Sequence, residues 1–189
     1  MSEDYIALIP TDPIHVPSDD DLERALRYLE SEGVIRKSQQ GEWEGGTDIT
    51  ALIDDPNPRE IDGESVLTRG GAQVVIEQWD HPFGHAGSNL EPIACVHCAS
   101  ELPFDEMLDA FEQARGTEAL SDNNRTLVCF HCDKGNDALS HEYGTSAGFC
   151  RAAIRIHVST GRQMTPRDDR VTQVGEALGV PVLLIAVLH

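Results

Sequence analysis

Two Cys-x-x-Cys pairs constrain this 189-residue chain more than any other feature of its sequence. Cys95 and Cys98 form the first pair, and Cys129 and Cys132 form the second. A tight turn within such a pair aims both sulfurs at one point, and two turns together complete a tetrahedral shell of four thiolates. The spacing therefore predicts that these four residues bind one structural Zn²⁺ ion.

The sequence leaves other uses of four thiols open. Residues 99–128 separate the pairs, a gap longer than the roughly 15–20 residues of ordinary zinc ribbons, and a helix predicted inside it accounts for the excess. Disulfides are disfavoured because no export signal is expected and the cytosol is reducing. A redox Cys-x-x-Cys would need only one pair. An iron–sulfur cluster also takes four cysteines, so it stays an alternative to zinc.

The residues next to the two pairs have simpler interpretations. His97 and His131 occupy the same position in the two pairs, and we expect them to flank the metal rather than bind it. Cys150 follows Phe149 and precedes a predicted strand, so it is interpreted as a small buried hydrophobic residue.

No catalytic site is identified from the sequence, and the glycine-flanked polar turn Gly144-Thr-Ser-Ala-Gly148 is interpreted as a loop before a strand. Four cysteines would leave zinc no open coordination position. The zinc-deaminase signature, the His-Glu-x-x-His of metalloproteases and the glycine-rich phosphate loops are all absent from the sequence. A predicted loop at residues 80–92 carries His81 and His85, which with Asp80 and His141 form a second polar cluster. Exposed loop histidines are the simpler interpretation, and a small metalloenzyme built on His81 and His85 is an alternative function.

Hydrophobic periodicity predicts five strands and three helices. The strands are predicted at residues 4–9, 72–79, 125–130, 152–158 and 182–188, the last as a central strand covered on both sides. A capping box at Ser18 and Asp21 predicts a helix that ends at Gly33. Its apolar face consists of Leu22, Ala25, Leu26 and Leu29. The other helices are predicted at residues 103–114 and from an N-terminal cap at Thr165, with Pro166 next, to Gly179.

These elements place the chain in the α+β class, with a mixed sheet, helices packed on it and a zinc-ribbon-like insert. Residues 38–65, rich in Gly, Asp, Glu and Pro, are predicted to be irregular and exposed, with at most one short edge strand. A single domain is expected over residues 1–189, with residues 92–150 as a zinc-knuckle insert or subdomain.

The acidity of the chain narrows the choice of partners. It has 33 Asp and Glu against 14 Lys and Arg, a formal charge of −19. Phosphate backbones and anionic membranes would repel it, so neither nucleic acid nor a membrane is expected. The acidic start, Met1–Asp4, is unlike a secretion signal, so a cytoplasmic protein is expected. An acidic surface formed by Asp19, Asp20, Asp21, Glu23, Glu42, Glu44, Asp54 and Asp55 would suit a basic protein partner.

Several short motifs together resemble a family of small bacterial proteins that has no assigned activity. They are Ile9-Pro-Thr-Asp-Pro13, the Val-Pro that follows it, the paired cysteines, Ala147-Gly-Phe-Cys-Arg151, and a last helix and strand that end in His189. The resemblance covers about half of the chain. In the family the first knuckle more often reads Cys-Pro-x-Cys, where this chain has Val96 and His97. The resemblance implies an α+β fold with a zinc-binding insert and no recognised catalytic motif.

Three functions follow from the sequence, in order of preference. The first is a non-enzymatic, zinc-binding acidic protein that binds another protein, such as an immunity or inhibitor protein for a basic toxin. The second is the small metalloenzyme that uses the loop with His81 and His85. The third is a zinc-ribbon module associated with transcription, which would need a basic face that this insert does not offer.

Overall fold

The computed structural model describes residues 4–46, 48–54, 60–61, 64–65, 73–87, 90–115, 120, 125–158 and 165–187. Its helices are α1 Asp19–Ser31, α2 Phe104–Ala114 and α3 Asp168–Leu178. Its strands are β1 Tyr5–Pro10, β2 Ile35–Lys37, β3 Trp43–Gly45, β4 Ile53–Asp54, β5 Glu60–Ile61, β6 Glu64–Ser65, β7 Val74–Ala86, β8 Thr126–Val128, β9 Gly135–Asp137, β10 Ala147–His157, β11 Thr165–Pro166 and β12 Val182–Val187. None of the helices in these residues combines the length and apolarity needed to cross a bilayer.

A four-stranded sheet in the order β12-β1-β10-β7 forms the centre of the fold. Every pairing in it is antiparallel, and Ile6 of β1 lies between Ile156 of β10 and Ala186 of β12. Helices α1 and α3 pack against one face of this sheet and against each other. The α+β class predicted from the sequence is therefore confirmed.

Alternate residues of the strands supply two hydrophobic clusters, one on each face of the sheet. On β1, Ile6 and Leu8 join the cluster beneath the helices, whereas Ala7 and Ile9 join the opposite one. The residues of a strand point alternately to its two faces, so a strand with all six residues buried must be covered twice. This burial explains why β1 is an uninterrupted apolar run.

Helix α1 begins as the sequence predicts. The Asp21 N–H donates to the Ser18 hydroxyl at 3.2 Å, and the Ser18 N–H donates to the Asp21 carboxylate at 3.1 Å. Gly33, with φ of 75°, follows the helix in the left-handed region that glycine adopts without strain. The apolar face predicted from Leu22 to Leu29 is buried.

The predicted loop at residues 80–92 is wrong in its first half, because β7 continues to Ala86. Its pairing with β10 shifts register between Cys150 and Ala152, which is a bulge that lets the strand bend and continue. Pro82 is tolerated because β7 is the last strand of the sheet and needs no donor on its outer side. His81 and His85 are therefore strand residues.

The predicted start of the last helix also needs correction. Thr165–Pro166 does not begin a helix but pairs as β11 with β4, and α3 starts at Asp168. The Arg167 N–H donates to the Leu52 oxygen at 2.9 Å, so long-range pairing outweighs the local capping pattern.

The prediction that residues 38–65 are exposed is wrong in part, because Ile49, Leu52 and Ile53 are buried. Asp55 lies outside the described residues.

Strand β12 lies at the edge of the sheet and not at its centre. Leu184 and Ala186 contact the cluster beneath the helices, and Ile185 and Val187 contact the opposite cluster. The apolar sequence thus reflects two covered faces, which an edge strand can also have. Leu188, included in the prediction, lies outside the described residues.

Residues 90–115 and 125–143, here called the cysteine module, contain both cysteine pairs. Helix α2 packs on β7, where Gly84 leaves room for the Phe111 ring, and Phe111 stacks on Phe149 of β10 at 4.3 Å between centroids. Strands β8 and β9 form a hairpin with the second cysteine pair at its tip. The arrangement fits a zinc-ribbon-like insert whose core is continuous with the ends of β7 and β10.

Candidate metal centre

The structure brings the four predicted cysteines to one point. Their sulfurs all lie within 4.8 Å of one another. The Sγ atoms of Cys95 and Cys132 are 3.7 Å apart, and those of Cys98 and Cys129 are 3.6 Å apart. A tetrahedron with Zn–S bonds of about 2.3 Å has edges of about 3.8 Å. These separations exceed the roughly 2.05 Å of a disulfide, and all four thiols are free.

The two cysteine pairs adopt the same backbone turn. In the first turn, the Cys95 N–H donates to the Ser100 oxygen at 2.7 Å and the Ala99 N–H donates to the Cys95 oxygen at 2.9 Å. The second turn repeats this pattern from Cys129 to Lys134, with distances of 3.0 and 2.9 Å. The two turns are therefore equivalent knuckles, each contributing two sulfurs.

Each knuckle closes through a residue in the left-handed region of backbone conformation. Ala99 has φ of 60° and Asp133 has φ of 56°. This conformation costs a residue with a Cβ atom roughly 1–2 kcal/mol. The same strained conformation occurs at the same position of both knuckles, so the turn geometry that orients the sulfurs requires it.

Backbone N–H groups point at the sulfurs and favour their ionised form. The His97 N–H lies 3.4 Å from the Cys95 sulfur. Burial raises the pKa of Cys95, but the N–H groups of His97 and Cys98 outweigh it and lower the pKa to about 6. The Ser100 N–H and hydroxyl lower the pKa of Cys98.

The last thiol ionises with difficulty when no cation is present. The Lys134 N–H lowers the pKa of Cys132, but burial and the hydrogen bonds to the other three thiols outweigh it and raise the pKa to about 12. Four thiolates packed this closely repel one another. The donor set therefore fits a metal cation, since only a cation inside the shell lets all four sulfurs be ionised together.

Asn136 links the two knuckles, a role that no sequence motif indicates. Its side chain is buried, its Oδ1 accepts from the Val96 N–H at 3.0 Å, and its Nδ2 donates to the Leu127 and Lys134 oxygens at 3.2 and 3.1 Å. The amide thus joins the first knuckle to both strands of the hairpin that carries the second. A polar residue soon after the last cysteine was the available signal, but only the fold shows that it is buried.

The histidines beside the cysteines have different surroundings. His97 Nε2 lies 3.2 Å from the Gly135 oxygen, which ties the first knuckle to β9. His131 is exposed. Cys150 is fully buried in the cluster on the face of the sheet opposite α1 and α3, as predicted, and burial raises the pKa of its thiol.

The structure gives His81 and His85 separate environments on β7. His85 is 0% exposed, its Nδ1 lies 3.1 Å from the Tyr5 hydroxyl, and its ring meets Trp79 and Phe83 edge-on. Burial, followed by the nearby positive charges of two arginines, lowers the pKa of His85 to about 3. His81 is half-buried. Within the described part of the chain, the cysteine tetrad is the one group of metal-binding side chains close enough to share an ion.

Within the described residues, the four cysteines thus form one arrangement that is close enough to hold a metal ion, with its backbone turns and linking amide defined. The resemblance to the family of small bacterial proteins stays a prediction. The chain matches no protein-family model, no curated protein and no solved structure.

Proposed function

We propose that the protein is a non-enzymatic binding protein whose cysteine tetrad holds one structural Zn²⁺. The observation that carries the proposal is the closed shell of four sulfurs on two equivalent knuckles. Four protein ligands leave a tetrahedral zinc ion no position for water or substrate. A shell in which all sulfurs lie within 4.8 Å encloses a single ion, whereas a cluster of several irons needs a wider one. When bound, the ion would supply folding free energy.

The carboxylates predicted to face a partner on α1 and β3 are largely used within the chain. Asp21 caps α1, and Asp19 and Asp20 lie in its first turn, where they stabilise the helix dipole. Three of the predicted carboxylates form ion pairs with arginines: Asp21 with Arg24, Glu23 with Arg27 and Glu44 with Arg36. This part of the surface therefore offers less free negative charge than the sequence suggests.

Helix α2 offers unpaired charge instead. It contains Asp105, Glu106, Asp109 and Glu112 but no basic residue. None of these four has an ion-pair partner within the described residues. Such a surface accelerates encounter with a basic protein. A basic protein partner is therefore the proposed ligand, and an immunity or inhibitor protein for a basic toxin is the specific form of the proposal.

Two of the three lysine and arginine residues of the cysteine module make contacts within the chain, so the module offers little support to the transcription-associated alternative. Arg115 donates to the backbone oxygens of Gly84 and Ala86 at the edge of β7. Arg125 pairs with Asp137 at 2.9 Å. Nucleic-acid binding needs a clustered basic face, and these two side chains are already occupied within the chain.

The metal part of the proposal is tested by elemental analysis of protein purified without added metal. About one zinc per chain is expected. Iron with visible charge-transfer absorption, or metal-free protein with both pairs oxidised, would contradict it. Metal-dependent turnover of a small substrate would favour the metalloenzyme alternative instead.

The binding part is tested by capture from cell extract with two matched charge reversals. Asp109→Lys with Glu112→Lys alters α2, and Glu30→Lys with Glu176→Lys makes the same net change near the ends of α1 and α3. All four side chains are exposed, and lysine is favourable in the last turn of a helix, so all variants should fold. We expect the α2 variant to weaken capture of a basic partner about tenfold at low salt and the other variant to weaken it much less. Equal losses would indicate an effect of net charge alone.

A further inference from the structure

A cleft of about 1090 Å³ lies between the cysteine module and strand β12. Its walls are residues 91–94 and Val96 of the first knuckle region, residues 140–146, which lead into β10, and Ala186 of β12. It is here called the module cleft. Recognition sites commonly form where two packed units meet, because the junction is concave.

The charge in the module cleft has one sign. Glu91 and Glu142 line it and are exposed, and no lysine or arginine is among its described lining residues. Neither carboxylate has an ion-pair partner within the described residues. Concave surfaces lined by one sign of charge focus the field and concentrate ligands of the opposite sign. The cleft therefore suits a cation.

The same cleft exposes an aliphatic side chain. Val96, at the tip of the first knuckle, is 71% exposed and lines the cleft beside Pro92. Phe130 occupies the equivalent position of the second knuckle and is 77% exposed. Only Val96 of the two lines the cleft, and a solvated apolar side chain in the same cleft as two unpaired carboxylates suits a ligand with both an apolar and a cationic part.

The walls of the cleft are held in place by hydrogen bonds. The Val96 N–H donates to Asn136, and the Ala186 N–H donates to the Thr145 oxygen at 2.9 Å. The Ser146 hydroxyl donates to the Tyr143 oxygen at 3.0 Å, and the Tyr143 hydroxyl donates to Ala138. A rigid cleft loses little conformational entropy when a ligand binds.

We propose that the module cleft binds a basic segment of a partner protein. Arginine or lysine side chains of that segment lie against Glu91 and Glu142, and an aliphatic side chain next to them covers Val96. This inference rests on the proposed function and adds to the α2 carboxylates a second contact surface, the module cleft, which receives one basic segment of the same partner. A second copy of this chain is a poorer occupant, because two molecules of formal charge −19 repel each other.

The test uses the zinc-loaded full chain, labelled with ¹⁵N, and a short peptide in which arginine and leucine alternate. A peptide with glutamine in place of arginine and free arginine are the control ligands. The titrations are followed by amide chemical shifts at about 0.05 M and about 0.5 M salt. The higher concentration screens the attraction between exposed charges, so the comparison measures the electrostatic part of binding. We expect the arginine–leucine peptide to shift Val96, Glu142 and Thr145, and to bind about tenfold more weakly at high salt.

Two pairs of substitutions of equal charge decide whether the cleft is responsible. Glu91→Gln with Glu142→Gln should lower the affinity for the arginine–leucine peptide about tenfold. Asp109→Asn with Glu112→Gln on α2 should leave that affinity within about twofold of the wild-type value. Loss from the α2 pair alone would overturn the inference but leave the proposed function intact. Absence of peptide binding, equal affinity for free arginine, or self-association of the protein would also overturn it.

Discussion

Asn136→Ala should loosen the connection between the two knuckles and weaken metal binding. The substitution removes three hydrogen bonds of 3.0, 3.2 and 3.1 Å. Each is worth about 1 kcal/mol net. In the variant, the Lys134 oxygen still accepts a hydrogen bond from the Cys129 N–H. Val96 is exposed, so water can replace the Asn136 side chain as the acceptor for its N–H. The free energy of unfolding of the cysteine module should therefore fall by about 2–3 kcal/mol.

The same change should weaken zinc binding without removing a ligand. Residues that orient metal ligands typically change metal affinity by about 10–100-fold when they are replaced. Competition with a chromophoric chelator measures the zinc Kd, and urea unfolding followed by circular dichroism measures stability.

Val128→Ser is the control for this experiment, because Val128 is exposed on β8 of the same hairpin but bonds to no knuckle through its side chain. Substitution at such a surface position should change stability by less than about 0.5 kcal/mol. Unchanged zinc affinity and stability in Asn136→Ala, or equal losses in Val128→Ser, would refute the assigned role of the amide.

Three further predictions concern single residues. Cys129→Ser should abolish stoichiometric zinc and lower the melting temperature of the module, whereas Cys150→Ala should retain one zinc per chain, both by elemental analysis and thermal melts. Ala99→Gly should raise the free energy of unfolding in urea by about 0.5 kcal/mol, because relief of the left-handed strain exceeds the entropy cost of glycine. His85 has a pKa of about 3 in the folded protein but about 6.5 in the unfolded chain, so the unfolded chain binds a proton first as the pH falls. The contribution of neutral His85 to the free energy of unfolding is therefore complete above about pH 6.5. Below that pH it decreases by up to about 1.4 kcal/mol per pH unit. The free energy of unfolding of wild type minus that of His85→Phe, measured in urea, should fall by about 2–3 kcal/mol from pH 7 to pH 4.5, and a constant difference would refute this.

The convergence of the four cysteines was predictable because the information for it is local. A Cys-x-x-Cys turn orients its two sulfurs within a few residues, and the pairing of Cys95 and Cys98 with Cys129 and Cys132 requires only that the two turns meet. Helix α1 was predictable for the same reason, since the capping box at Ser18 depends on residues three positions apart.

The errors arose where distant parts of the chain determine the local structure. Polar residues in the second half of β7 suggested a loop, but β10 supplies partners as far as Ala86. Thr165 and Pro166 had the composition of a helix start, but β4 pairs with them. No pattern in the sequence indicates the role of Asn136, which depends on three hydrogen bonds made between the knuckles. In each instance the deciding contact joins residues too far apart for periodicity to detect.

The loaded metal centre itself would add to the acidity that the proposed partner recognises. Four thiolates around one Zn²⁺ leave a net charge of about −2, which the formal −19 omits because it counts cysteine as neutral. Cys98 is the exposed ligand, so Cys98→His should keep four ligands while it removes one negative charge near Val96. We expect zinc to stay stoichiometric and the arginine–leucine peptide to bind about twofold to fivefold more weakly at low salt, with no difference at about 0.5 M salt. A variant that retains zinc and binds the peptide as tightly as wild type at low salt would show that the charge of the centre does not contribute to recognition.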